Sequence, residues 1–218
     1  MILKKESLID EASKVMEFIA DKLENVDIIN LNELDLSKTL LAIVDINNGF
    51  AKGGALYSDR VEKLITPIEE LAKYMIKNGA EAVAFTDCHS EESPEFTCYP
   101  KHCLRGTEES EIIDELKELN IKVIKKNSTN GFLEEAFKLE PHIENVIIVG
   151  DCTDICIYQF AISVRADFNK KNEGKRVIVP MDYVDTFHAP FHNGDFMNAV
   201  FLSSMMDNGI EVVKIDKR

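Results

Sequence analysis

Residues 146–156 read VIIVGDCTDIC: large apolar side chains end at a glycine and lead into a polar turn with two cysteines. Beyond the turn, apolar residues recur over residues 157–164 at the spacing typical of one face of an α-helix. The stretch therefore predicts a buried strand that turns sharply into a helix, with Cys156 in the first helical turn. Free backbone N–H groups and the helix dipole favour a thiolate there, so Cys156 is a candidate nucleophile.

Apolar strands alternate with amphipathic helices along most of the chain. The predicted strands are residues 40–45, 82–86, 122–125, 146–149, 176–179 and 211–215. The predicted helices are residues 60–77, 108–119, 133–138, 153–168 and 195–208. This alternation predicts an α/β fold, a three-layer doubly wound sheet of about six parallel strands with helices on both faces.

A helical apolar stripe over residues 8–24 precedes the first predicted strand. We expect residues 1–38 to form an N-terminal helical extension that packs on the domain or on a neighbouring subunit. Residues 39–218 are expected to form one α/β domain, because a single hydrophobic core can support a chain of this size. We expect the protein to be a homo-oligomer.

The composition excludes several classes of partner. A formal charge of −14 over 218 residues argues against a surface that binds nucleic acid. No apolar run is long enough to cross a membrane, and charged residues interrupt the N-terminus, so we expect neither a membrane partner nor a signal peptide. Five cysteines, an odd number without secretory context, indicate reduced thiols and a cytoplasmic protein.

Polar residues cluster where the predicted strands end. Ligands of doubly wound sheets bind beyond the carboxyl ends of the strands, where Asp45, Asp87, Lys125, Lys126 and Cys156 are all expected. The turn after the first strand lacks the pattern G-x-G-x-x-G, which argues against an oxidoreductase that uses a nicotinamide dinucleotide.

Two of these strand ends allow a structural as well as a catalytic interpretation. Asp45 precedes a turn-forming Asn-Asn-Gly and either caps that turn or acts as a general base in a partly dry cleft. Lys125 and Lys126 are either solvated charges at a strand end or include a lysine that lowers the pKa of the thiol. The same lysine would keep the base ionised.

A third group of polar residues suits a metal ion. Asp87 and His89 are two residues apart, so an extended chain directs both to the same side, and His102 follows in the next polar segment. They are either unrelated surface residues or ligands of Zn²⁺ or a similar ion. Glu95 is either a further carboxylate ligand or a solvated loop acid. Cys103, beside His102, is interpreted as a small apolar residue.

Five segments together resemble a known enzyme family, the isochorismatase-like cysteine hydrolases, and most closely their nicotinamidase branch. In chain order they are residues 43–50 (IVDINNGF), 86–89 (TDCH), 99–107 (YPKHCLRGT), 123–126 (VIKK) and 150–156 (GDCTDIC). The resemblance extends from residue 40 to the C-terminus. It implies a six-stranded parallel sheet and an amidase that converts nicotinamide to nicotinate and ammonia through a thioester.

The resemblance also implies a role for each catalytic residue. Cys156 is the nucleophile, Asp45 its base, and Lys126 the assisting lysine, because Lys126 stands six residues before Phe132 as in the family. The backbone N–H groups of Cys152 and Cys156 form the oxyanion hole.

Further implications concern the backbone and the substrate pocket. The family has a non-proline cis peptide bond at the position of Asp151 and Cys152. Phe50 and Tyr99 match positions that line the pocket for the substrate ring. One divalent metal ion, expected to be zinc, is bound by Asp87, His89 and His102 and orients the small carboxamide substrate.

Three other functions fit parts of the pattern. An N-carbamoyl or ureido amidase on the same scaffold needs no metal, so the metal content separates it from a nicotinamidase. An isochorismatase in the strict sense does not need the nucleophilic cysteine. A non-catalytic binding protein needs none of Asp45, Lys126 and Cys156 intact.

Overall fold

The structure, a computed structural model, describes residues 4–216. Residues 1–3 of the predicted extension and residues 217–218 of the predicted domain lie outside this range. The described strands are β1 (Ile28–Ile29), β2 (Thr39–Val44), β3 (Glu81–Asp87), β4 (Lys122–Lys126), β5 (Asn145–Gly150), β6 (Arg176–Pro180) and β7 (Glu211–Ile215).

The helices alternate with these strands. They are α1 (Lys5–Glu24), α2 (Asn48–Ala51), α3 (Asp59–Glu62), α4 (Ile65–Lys77), α5 (Asp114–Lys117), α6 (Tyr158–Lys171) and α7 (Gly194–Asp207). A π-helical turn, Thr153–Ile157, directly precedes α6. None of the helices described is long and apolar enough to span a membrane.

All strands pair in parallel, in the order β1-β7-β6-β5-β2-β3-β4. Every residue of the central strands β2 and β5 is buried, as expected for strands covered on both faces. Along β2, Leu41 and Ile43 pack in a core with α4, whereas Leu40, Ala42 and Val44 pack in a second core with α6. The three-layer α/β sheet predicted from the sequence is therefore confirmed.

The sheet has one strand more than the predicted number. β1 lies inside the segment that we expected to be helical, and it adds to the edge of the sheet beside β7. Backbone bonds from Lys214 N–H to Asp27 O and from Asp216 N–H to Ile29 O, each 2.9 Å long, hold it there. A strand of two residues is too short to produce an alternating pattern.

Two predicted helices are wrong. Residues 134–138 form no helix, because Phe132 and Phe137 both turn inward onto an aromatic cluster while Ala136 O accepts a bond from Lys122 Nζ. In the predicted helix 108–119, only a 3₁₀ turn and α5 are helical. The backbone of residues 111–113 is instead used by the loop after β2, since Glu111 O accepts the N–H of Asn48.

The predicted helix 60–77 is divided into α3 and α4. Pro67 lies in the first turn of α4, where a backbone N–H would have no partner inside the helix, so its absence costs no hydrogen bond.

The N-terminal helix α1 packs on α7 through Ile19 and Leu23, and Lys22 forms an ion pair of 2.6 Å with Asp207. Packing of α1 on a neighbouring subunit stays a prediction.

An aromatic cluster joins β3 to α6 directly behind the carboxyl edge of the sheet. Phe160 lies 4.9 Å from Phe85 and 5.5 Å from Phe137 between ring centroids. Phe85 is two residues before Asp87, and Phe160 is four residues after Cys156. The cluster thereby sets the relative positions of the two elements that carry these polar residues.

Replacing Phe160 by Ala should strongly destabilise the fold. The ring is fully buried, so its loss leaves a cavity and should lower the free energy of unfolding by about 3–5 kcal/mol. Urea unfolding followed by circular dichroism measures this difference. Leu133→Ala is the control, because that side chain is 70% exposed and its removal should change stability by less than about 0.5 kcal/mol. Equal stabilities for the two variants would contradict this role of the cluster.

Candidate active site

Four neighbouring strands end at one edge of the sheet, and each brings a polar residue to it. Asp45 directly follows β2, Asp87 ends β3 and Lys126 ends β4. Cys156 lies in the π-helical turn that follows β5. All four side chains are buried, although the first three are among the residue types that proteins bury least often.

Lys126 stands at the centre of this group. Its Nζ forms an ion pair of 2.8 Å with Asp45 Oδ2 and a second, shorter one with Asp87 Oδ1. The same Nζ lies 3.7 Å from Cys156 Sγ. Residues 87 and 126 are paired in the β3–β4 register, which brings the lysine to the carboxylate.

The charges of this cluster shift one another's pKa values. Burial and the charge of Asp87 raise the pKa of Asp45 to about 7, although Lys126 acts in the opposite direction. Burial also disfavours ionised Asp87, but Lys126 and the nearby histidines outweigh it and hold the pKa of Asp87 below its usual range. The carboxylates outweigh burial at Lys126 and raise its pKa. Asp45 is therefore the member that can exchange a proton near neutral pH.

The surroundings of the Cys156 thiol favour its protonated form. Burial raises the pKa of this thiol, the two carboxylates add to the effect, and Lys126 only partly opposes it. Lys126 acts to lower the pKa of this thiol, as expected for a lysine beside it, but burial acts in the opposite direction. The thiol is within hydrogen-bonding reach of Asp45, so that carboxylate can take its proton.

The turn that carries Cys156 has an unusual backbone. Gly150 has a φ of 121°, and a Cβ at this position would collide with Val44 O in the neighbouring strand. The peptide bond between Asp151 and Cys152 is cis, as expected. Cys152 O accepts the N–H groups of Ile155 and Ile157 at 3.0 and 3.1 Å, whereas the Cys152 N–H donates to no backbone acceptor within residues 4–216.

Asp87, His89 and His102 form the candidate metal centre. Their ligand atoms lie within 4.8 Å of one another, and all three residues are buried. Asp87 Oδ2 is 3.3 Å from His89 Nε2 and 3.7 Å from His102 Nε2. Glu95 Oε2 lies 3.7 Å from His89 Nε2, so a fourth ligand is within reach.

The hydrogen bonds behind these histidines suit a bound cation. His102 Nδ1 donates to Pro100 O at 2.8 Å, and His89 Nδ1 faces Asn127 Oδ1 at 3.3 Å. An Nδ1–H held in this way leaves Nε2 as the ligand atom. The buried Nε2 of His89 has no hydrogen-bond partner among the described residues. This orphaned atom and the mixed nitrogen and oxygen donors fit a zinc-type ion.

A cavity of about 480 Å³ opens above these residues. Asp45, Cys156 and His102 line it, and so do Phe50 and Tyr99. The rings of Phe50 and Tyr99 lie 5.7 and 6.3 Å from the His102 ring.

The structure separates the candidates that the sequence left open. Lys125 is half-exposed and forms an ion pair of 2.7 Å with Glu111, outside the cluster, so of these two lysines it is Lys126 that joins the buried group. Cys103 is fully buried behind the loop after β2, where Asn47 Nδ2 donates to its sulfur at 3.1 Å, consistent with a packing role.

Sequence reasoning missed one pair of residues at this site. No sequence motif singles out His188 or His192, but His188 lines the cavity and His192 Nε2 lies 2.8 Å from Asp154 Oδ2. Asp154 is buried in the same turn as Cys156. The place of Asp154 in the turn of Cys156 could have indicated a role at the site. Nothing in the sequence spacing, however, indicates that its partner His192 lies 38 residues away.

Comparisons with known proteins identify the family of the chain. A family model described as the isochorismatase domain matches residues 39–213. The chain belongs to the isochorismatase family. Nicotinamidase 1 of Arabidopsis thaliana is 30% identical over 179 residues, which cover 70% of this chain and 71% of that protein.

Solved structures of amidases share the fold. The nicotinamidase/pyrazinamidase PncA from Bacillus subtilis has a TM-score of 0.68 and 25% identity, with 81% of this chain and all of that chain (100%) covered. The N-carbamoylsarcosine amidase from Thermoplasma acidophilum has a TM-score of 0.64 and 26% identity, with 81% and 96% covered. The family expected from the five segments is thus confirmed, and nicotinamidases are among its relatives here.

Replacing His89 by Ala should remove the metal. We expect about one zinc-type ion per chain in the parent protein and only a small residual fraction in the variant, since two ligands hold such an ion poorly. Elemental analysis of the purified proteins gives the ratio. His142→Ala is the matched control, because that histidine is half-exposed and pairs with Glu81 far from the site. If the His89→Ala variant binds as much metal per chain as the parent protein, the metal site lies elsewhere.

Proposed function

We propose that the protein is a nicotinamidase, a cysteine-dependent amidase that hydrolyses nicotinamide to nicotinate and ammonia. The observation that carries this proposal is the buried Lys126, which joins Asp45 to Asp87 and lies beside the Cys156 thiol. One lysine thereby connects a base and a nucleophile with the carboxylate of a metal centre. Its nicotinamidase relatives support the same conclusion.

The first half of the reaction forms a thioester. Asp45 takes the proton of the Cys156 thiol, and Lys126 stabilises the thiolate by its positive charge. The sulfur attacks the carboxamide carbon, and the backbone N–H groups of Cys152 and Cys156 bind the oxyanion. Asp45 then gives its proton to the amide nitrogen, and the C–N bond breaks to release ammonia.

The second half restores the enzyme. Asp45, ionised again, takes a proton from water, whose oxygen attacks the thioester carbon. The C–S bond breaks, nicotinate leaves and the sulfur recovers a proton from Asp45. A pKa of about 7 suits this alternation, because the carboxyl must accept and donate protons at similar cost.

The metal centre would orient the substrate. When bound at Asp87, His89 and His102, a divalent ion, which we propose to be zinc, supplies a Lewis acid that holds the pyridine nitrogen. Phe50 and Tyr99 confine the ring, so that the carboxamide carbon stays near Cys156. Fixing this geometry before the reaction supplies several kcal/mol of the rate enhancement.

An N-carbamoyl amidase is the second candidate, because such an enzyme shares the fold and 26% of aligned residues. The buried Asp-His-His cluster favours the nicotinamidase, since an orphaned imidazole nitrogen is costly unless it binds a ligand. A non-catalytic binding protein would have no use for the buried cluster of lysine and carboxylates.

We also propose that the enzyme is cytoplasmic and forms a homo-oligomer.

Asp45→Asn and His102→Ala should impair catalysis in different ways. Asn keeps the shape but cannot accept the thiol proton, so kcat/KM should fall by about 10²–10⁴ for every substrate. His102→Ala should lower kcat/KM for nicotinamide by about 100-fold through loss of ring orientation. Benzamide lacks the ring nitrogen and should be a poor substrate that His102→Ala changes little.

The measurement is ammonia release from nicotinamide and benzamide by the parent protein and both variants, with His142→Ala as the control for folding. Free-energy differences follow from the ratios of kcat/KM. If His102→Ala lowers kcat/KM for nicotinamide and for benzamide by the same factor, the metal does not orient the ring. Release of ammonia only from N-carbamoyl compounds would favour the second candidate.

A further inference from the structure

The cavity extends well beyond the space that nicotinamide would fill. Its volume of about 480 Å³ is in the range that holds drug-sized molecules, whereas nicotinamide is a single ring with one carboxamide. The catalytic residues occupy only the floor. The outer part is lined mainly by apolar and aromatic side chains, namely Leu56, Tyr57, Phe187 and Phe191.

Phe191 lies at the tip of a tight hairpin on one side of the opening. Ala189 and His192 exchange two backbone hydrogen bonds of 2.9 Å, which leave Pro190 and Phe191 as the two residues of the turn. The Phe191 side chain is 88% exposed, although it belongs to an ordered turn and lines the cavity. Packing within the described chain does not explain a large apolar side chain in this position.

The hairpin is fastened to the turn that carries the nucleophile. The His192 ring stacks on Phe187 with centroids 3.8 Å apart and an angle of 10° between planes. His192 Nδ1 faces Phe187 O at 3.0 Å, and Nε2 faces Asp154 Oδ2 at 2.8 Å. Both ring nitrogens therefore have a polar partner, which fixes the orientation of the ring. Asp154 is two residues before Cys156, so the hairpin and the nucleophile are held together.

Tyr57 is the second exposed aromatic residue that lines the cavity, and it is also fixed in place. Its hydroxyl donates a short hydrogen bond to the Glu62 carboxylate, while the ring remains 43% exposed. Arg60, three residues further on, binds Asp185 through Nε and Nη2 at 3.0 and 2.7 Å. This ion pair ties the Tyr57 side of the opening to the segment that leads into the hairpin. Both aromatic walls are therefore preformed.

We propose that the outer part of the cavity is a substrate subsite for an aromatic or extended apolar substituent, which Tyr57 and Phe191 recognise. This inference rests on the proposed amidase function and narrows its substrate class. The preferred substrates are primary carboxamides that carry such a group on the ring, on the side directed away from the metal. Preformed walls favour binding, because little conformational freedom is lost when the substituent enters.

The test compares nicotinamide with two phenyl isomers, 4-phenylnicotinamide and 5-phenylnicotinamide. Their phenyl groups are para and meta to the ring nitrogen, so both point away from the metal but in different directions. Ammonia release gives kcat/KM for each compound with the parent protein, Phe191→Ala and Phe196→Ala. At least one isomer should match or exceed nicotinamide with the parent. Phe191→Ala should lower the ratio of kcat/KM for that isomer to kcat/KM for nicotinamide by about tenfold, the usual scale for one apolar contact in a pocket.

Phe196→Ala is the matched control, since Phe196 is exposed on α7 and does not line the cavity, and it should leave the ratio unchanged. Hydrolysis of nicotinamide but of neither isomer, or an unchanged ratio in Phe191→Ala, would overturn the subsite and leave the proposed function intact. Release of ammonia from a phenyl isomer but not from nicotinamide would support the subsite and show that nicotinamide itself is not the substrate. No ammonia from any of the three compounds would overturn the proposed function, and the subsite with it.

Discussion

The buried ammonium group of Lys126 is the interaction on which the site depends. A charge without solvent is very unfavourable unless opposite charges surround it, and here Asp45 and Asp87 do so from two neighbouring strands. Removing either carboxylate would leave a buried charge without full compensation. The lysine therefore requires both carboxylates, and the carboxylates require the lysine.

The cluster is nevertheless one positive charge short. Two carboxylates face one ammonium, and this imbalance adds to burial in raising the pKa of Asp45 despite the ion pair. It also explains His89: burial lowers the pKa of this imidazole, but Asp87 outweighs it and the pKa is raised. A proton on His89 or a divalent cation beside it would supply the missing charge.

The sequence predicts those parts of the molecule that depend on local pattern. Fully apolar strands and the polar residues after them determined the sheet and its functional edge, and five short segments indicated the family. The errors arise from long-range contacts. β1 depends on a partner strand almost 190 residues away (Ile28 with Lys214), residues 111–113 serve the loop after β2, and His192 meets Asp154 only in the folded chain. Spacing along the chain also does not reveal burial, which raises the pKa of the Cys156 thiol against the effect of Lys126.

The position of Lys126 on an edge strand has a consequence for how the chain folds. β4 reads KVIKK, with lysines adjacent at its end and apolar residues adjacent in its middle, so its own pattern hardly distinguishes one alignment against β3 from the next. A slip of one residue would place Lys125 opposite Asp87 and turn Lys126 to the other face. The Cys88 N–H bond to Lys126 O and the ion pair with Asp87 select the observed alignment. Lys126, the candidate catalytic residue, thus also fixes the alignment of the edge strand β4.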